Sequence, residues 1–112
     1  MKLSNRLEAV ANFVPYSSVL LDIGTDHAWL PIYLLKEEQI KKAYASDNKE
    51  GPLNIAKKNI ESSNLENNII TLKSDGFKQI NDEILNEVSR IINLDLPIER
   101  VTLTVKEAIL SA

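Results

Sequence analysis

Apolar residues at Leu3, Leu7, Val10 and Val14 recur at the spacing of one helix face, with Ser4 placed to cap the first turn and Pro15 to stop it. A short amphipathic helix therefore leads the chain, its polar face carrying Asn5, Arg6 and Glu8. "VLLDI", Val19 to Ile23, is an apolar run with an acid near its end, the pattern of a strand buried on both faces in a parallel sheet. From Trp29 to Lys42 the positions Ile32, Leu35 and Ile40 suit a helix, with Pro31 tolerated in its first turn. "KAYASD", Lys42 to Asp47, is a second strand, followed by Gly51 and Pro52 opening a helix with the stripe Leu53, Ala56 and Ile60. "NNIITLKSDG", Asn67 to Gly76, reads as a third strand ending at Asp75. Phe77, Ile80, Ile84, Val88 and Ile91 then mark one long amphipathic helix. Beyond Pro97, "RVTLTV" (Arg100 to Val105) alternates as an edge strand does, and "KEAILSA" allows about two helical turns. Strands alternating with helices imply a right-handed, doubly wound α/β sheet.

Composition narrows this picture only a little. With 112 residues and 44% hydrophobic content the chain suits one domain with one core. The formal net charge is −3 and the lysines are spread along helices, so there is no basic footprint of strong autonomous nucleic-acid binding. With no cysteine there is neither a disulfide frame nor a thiolate metal site, and no metal ligand set is assigned. No leading segment reads as a signal peptide and no apolar run approaches the roughly 18 residues that span a bilayer, so the expected setting is the reducing cytoplasm, away from membranes.

The candidate chemistry lies at strand ends. Asp22, Asp47 and Asp75 each close a strand, and in open α/β sheets ligands sit at the carboxyl ends near the point where strand order reverses. Gly24 lets the backbone approach a ligand closely. An acid after the second strand, Asp47, suits ribose hydroxyls, and Asp75 could accept from an adenine amino group. "GTDHAW" has one glycine where a dinucleotide loop has three, and Asp26 would repel a pyrophosphate, so a nicotinamide or flavin site is disfavoured. Asp22 and Asp26 instead attract positive charge, as the ammonium and sulfonium of S-adenosylmethionine would supply. On spacing alone the same residues also fit a capped strand-to-helix turn, His27 a helix-start residue and Trp29 a core or interface aromatic.

Four stretches, "LSNRLEAVANFVP" (Leu3 to Pro15), "LLDIGTDHAWLPIYLL" (Leu20 to Leu35), "ASDNKEGPLNIAKKNIE" (Ala45 to Glu61) and "SDGF" (Ser74 to Phe77), resemble the amino-terminal part of the bacterial tRNA adenine-N1 methyltransferases that modify the D-arm. These belong to the class I S-adenosylmethionine-dependent enzymes. The resemblance implies a Rossmann-like, mostly parallel sheet of about four strands in the order 3-2-1-4 behind the leading helix. It implies a cofactor set of Asp22, Gly24, Thr25, Asp47, Asn48, Asp75 and Gly76, with Asp26 and His27 at the reacting centre, Asp26 favouring developing positive charge and His27 positioning. Arg6 would meet tRNA phosphate and Trp29 would stack on a flipped base.

The family continues with a fourth strand running into a glycine-rich segment, and nothing like that segment occurs between Ile84 and Ala112. The expectation is thus a single partial methyltransferase domain over residues 1–112 that keeps the cofactor half, with 84–112 departing from the pattern. The other expectation is a non-catalytic Rossmann-like module, self-associating or paired with another chain to cover the incomplete sheet.

Overall fold

The computed structural model describes residues 2–16, 18–95 and 101–103. Helix α1 (Asn5–Ala11) begins as its sequence dictates, the Ser4 hydroxyl accepting from the Leu7 amide at 3.3 Å. Strand β1 (Ser18–Ile23) follows, then α2 (Trp29–Lys36), β2 (Ile40–Asp47), α3 (Glu50–Ser62), β3 (Ile69–Lys73), α4 (Asp82–Glu87), β4 (Arg90–Asn93) and β5 (Thr102–Leu103). They form one sheet in the order β3-β2-β1-β4-β5, the first four mutually parallel and β5 antiparallel to β4 at the edge. The 3-2-1-4 order and the Rossmann-like class therefore stand as expected.

Several element boundaries differ from the sequence reading: β2 begins at Ile40 rather than Lys42, and β3 ends at Lys73, two residues before Asp75. Helix α2 ends at Lys36, not Lys42: Glu38 takes a left-handed conformation (φ 56°), and the Gln39 amide donates to the Leu34 carbonyl at 2.9 Å. This is a Schellman cap built on glutamate, so the glycine that advertises such a stop is missing. The freed Gln39 side chain donates to the Ala11 and Val14 carbonyls, closing the end of α1.

The long helix read from Phe77 to Ile91 is instead a turn, the six-residue α4 and strand β4. Ile80, Ile84 and Val88 do face one way, but Val88 is already extended (ψ 130°), and the adjacent Ile91 and Ile92 are both fully buried, on opposite faces of the sheet. The four parallel strands follow the expected order 3-2-1-4, and among the described residues β5 adds an antiparallel strand at the edge. Of "RVTLTV" only 101–103 are described, and the pairing of Thr102–Leu103 agrees with the edge position; "KEAILSA" lies outside the described residues. We expect Ile91→Ala and Ile92→Ala each to cost about 2–5 kcal/mol in urea unfolding, because each empties a packed face; an amphipathic helix would make one of them cheap.

Both faces of the sheet are used. Leu20, Ala43, Ala45 and Ile92 pack under α1, α2 and α3 with Leu30, Ile32, Leu34, Ala56 and Ile60. Leu21, Ile23, Tyr44 and Ile91 pack under Ile80, Ile84 and Val88 from the α4 region. A Tyr44 hydroxyl–Glu87 bond and a Lys42–Glu87 ion pair at 2.9 Å tie α4 down, which holds the Glu87 carboxyl below its ordinary range and the Lys42 ammonium above its own. Because α2 and α3 cross one face and α4 the other, strand order reverses between β1 and β4. The crevice outside their carboxyl ends is where a ligand belongs in such a sheet.

Candidate functional site

The loop after β1 is built from alternating conformations. Gly24, Asp26 and Ala28 all have positive φ (72°, 57° and 65°), which only glycine adopts without cost. The surrounding structure enforces this path. The Thr25 amide donates to the Ser46 carbonyl at 2.9 Å, the Asp26 amide to Asp47 Oδ2 at 3.1 Å, and Asn59 Nδ2 to the His27 carbonyl at 2.8 Å. The second oxygen of Asp47 accepts from the Lys49 amide at 3.1 Å, so one carboxylate joins the ends of β1 and β2. At the end of β3 the Ser74 hydroxyl donates to the Gly76 carbonyl at 2.8 Å and the Asp75 amide to Gln79 Oε1 at 2.8 Å, which braces that turn.

These ends surround a cleft of about 260 Å³ lined by Gly24, Asp26, Asp47, Asn48, Asp75 and Gly76, six of the residues singled out from sequence. Asp22 and Thr25 are not in its lining. Asp22 is completely buried beneath the loop, where Oδ2 accepts from the Thr25 hydroxyl at 2.7 Å and Oδ1 has no partner among the described residues. Burial pushes its carboxyl up to about 7 despite the Thr25 bond, and the charges of Asp47 and Asp95 add to the rise.

A second cleft of about 340 Å³ opens on the other side of the loop, toward α1. Arg6, His27 and Trp29 line it together with Gly24 and Thr25 of the expected cofactor set, so the residues expected to touch the substrate lie together at the edge of that set. His27 Nε2 stands 3.7 Å from Asp26 Oδ1, and Trp29 is 41% exposed. Arg6 Nη2 donates to the Leu94 carbonyl at 3.1 Å, holding the end of β4. Its other guanidinium donors have no partner among the described residues.

Sequence reasoning missed Asp95, which follows β4 and lines both clefts, and also Lys49, Pro52 and Ser74 in the first. Asp95 carries the same signal as the others, an apolar run followed by an acid ("RIINLD"), but the helical reading of that stretch hid it. Asn59, which pins His27, gave no signal of its own.

A parallel sheet in the order 3-2-1-4, with acids at the strand ends and a glycine loop after β1, defines a Rossmann-like methyltransferase domain. The methyltransferase domain family matches residues 3–92, and the chain belongs to it. Among curated proteins it is 39% identical over 80 residues to the tRNA (adenine(22)-N(1))-methyltransferase of Bacillus subtilis, covering 71% of this chain and 34% of that protein. The structure of M. capricolum TrmK in complex with S-adenosylhomocysteine matches with a TM-score of 0.79 and 40% identity, over 99% of this chain and 46% of that one. That of the Bacillus subtilis m1A22 tRNA methyltransferase TrmK matches with a TM-score of 0.75 and 36% identity, over 82% and 38%. The chain thus spans about a third of the curated relative and less than half of these solved ones. No helix among the described residues is long and apolar enough to cross a membrane.

Proposed function

We propose that this chain is the cofactor-binding part of an S-adenosylmethionine-dependent tRNA (adenine-N1) methyltransferase, a single partial domain working in the cytoplasm. The observation that carries this reading is the buried Asp22 carboxylate, with one oxygen unpartnered among the described residues, below a cleft walled by Asp26, Asp47, Asp75 and Asp95. Such a cleft fits a ligand with a cationic end and no phosphate. When bound, S-adenosylmethionine supplies a methyl group on sulfonium sulfur, which passes to a ring nitrogen lone pair while sulfur keeps its bonding pair.

Asp47 is suited to take ribose hydroxyls on its free lone pairs, and Asn48, Asp75 and Gly76 to border the adenine. Gly24 borders the cationic end, the buried Asp22 acts on it by charge from below, and Thr25 fixes Asp22 through its hydroxyl. Asp26 separates the clefts and favours the positive charge that develops on the target base, and His27 positions it. An adenine ring nitrogen is already nucleophilic, so alignment matters more than a strong base. Arg6 and Trp29 offer tRNA a phosphate contact and a stacking face.

Calorimetric titration with S-adenosylhomocysteine tests the cofactor half: saturable heat is expected, and no heat from a chain with a folded circular dichroism spectrum overturns it. Methylation of unmodified tRNA, read by mass of the released nucleosides, tests the substrate: methyl on adenine N1 is expected, and methyl on another base overturns it. Self-association over the β3 side, where Ile70 is 40% exposed, is also proposed. A dimer mass in light scattering supports it, and a monomer at the highest attainable concentration refutes it.

A further inference from the structure

The two clefts meet at three residues, Gly24, Asp26 and Asp95. Asp95 is fixed there from several sides. The Leu94 amide donates to the Ile23 carbonyl at 3.1 Å, prolonging the β1–β4 ladder by one bond, and the Leu94 carbonyl accepts from Arg6 at 3.1 Å. The Asp95 amide donates to Asn93 Oδ1 at 3.0 Å. Its carboxylate lies over the Gly24 backbone, 3.1 Å from where a β-carbon on Gly24 would stand. Asp26, the other acid at the junction, faces His27 instead.

We infer that Asp95 determines which base is accepted: its carboxylate takes a hydrogen bond from the exocyclic amino group of a purine entering the second cleft, and rejects a purine with a carbonyl there. The inference rests on reading the first cleft as the methyl-donor site. An ionised carboxylate only accepts hydrogen bonds, so an amino group satisfies it while a carbonyl oxygen leaves two acceptors opposed. A site built to hydrogen-bond a donor discriminates strongly against an analogue lacking it. Trp29, at the start of α2, supplies the stacking face that holds the ring in the same cleft. Holding the amino group at the junction directs the neighbouring ring nitrogen toward the first cleft, where the methyl donor would sit. Arg6 serves this arrangement as a positioning residue, through the Leu94 carbonyl.

Trp29 is the only tryptophan in the chain, so quenching of its fluorescence reports occupancy of the second cleft. In chain saturated with S-adenosylhomocysteine, adenosine is expected to bind about tenfold more tightly than inosine, a base-edge discrimination of ordinary size. Asp95→Asn, whose amide donates as well as accepts, should bring that ratio to about one or invert it, and Asp95→Ala should bring it to about one without inversion. Equal binding in the parent chain, an unaltered ratio in Asp95→Asn, or no quenching by either nucleoside would overturn the inference. If S-adenosylhomocysteine itself fails to bind, the cofactor reading falls, and the nucleoside ratio measured without it still decides the role of Asp95.

Discussion

At about pH 8 the Asp22→Asn chain should withstand more urea than the parent, yet bind S-adenosylhomocysteine about a hundredfold more weakly. Asp22 carries a carboxyl pushed up to about 7 from an ordinary 3.8, chiefly by complete burial and then by the charges of Asp47 and Asp95. The fold prefers its protonated form. Its contribution to stability is therefore full below about pH 4 and is lost as pH rises through about 7, a change on the order of 4 kcal/mol. Asparagine keeps an oxygen for the Thr25 hydroxyl and never ionises, so the advantage of the variant grows with pH across that window. A cation in the cleft reverses the preference: its charge favours ionised Asp22, binding releases a proton, and affinity rises through pH 7 in the parent but not in the variant. Urea unfolding and calorimetry, each at about pH 5 and pH 8, check both halves. Parallel pH profiles for the two chains would contradict this role.

Gly24→Val should have the other large effect. Gly24 has φ +72°, a region in which a β-branched residue is strongly disfavoured, and its β-carbon would meet Asp95 Oδ1 at 3.1 Å. The valine must either move the loop off Asp47 or push Asp95 out of the junction. A stability loss of about 2–3 kcal/mol is expected together with loss of measurable cofactor binding, while Gly24→Ala should lose about half as much stability. Thermal unfolding and calorimetry read the two effects separately. Wild-type affinity in Gly24→Val would mean that the loop takes no part in the site.

Much of the sheet was legible because β1, β2 and β3 each pair an apolar run with an acid in or within two residues of the strand's end, and that is also why Asp22, Asp47 and Asp75 could be placed at one end of the sheet. What failed were signals that compete locally. Ile80, Ile84 and Val88 imitate a helix stripe whose spacing continues into Ile91, although the neighbouring Ile92 belongs to the opposite face of a strand. Asp95 was lost with β4, and with it the junction of the two clefts. The end of α2 was hidden because Glu38, rather than glycine, takes the left-handed position of its cap. Separation of the candidate residues into two clefts depends on how the loop folds over Asp22, and no spacing in the chain encodes that.

The central claim, that the strand-end cleft is an S-adenosylmethionine site, is tested most directly by amide chemical shifts of the isotope-labelled chain during titration with S-adenosylhomocysteine. Saturable shifts should concentrate at Gly24, Asp26, Asn48, Asp75 and Gly76, with Phe13 and Tyr16, on the α1–β1 connection, unmoved. A well-dispersed spectrum that does not change at those amides, or changes only elsewhere, would contradict it.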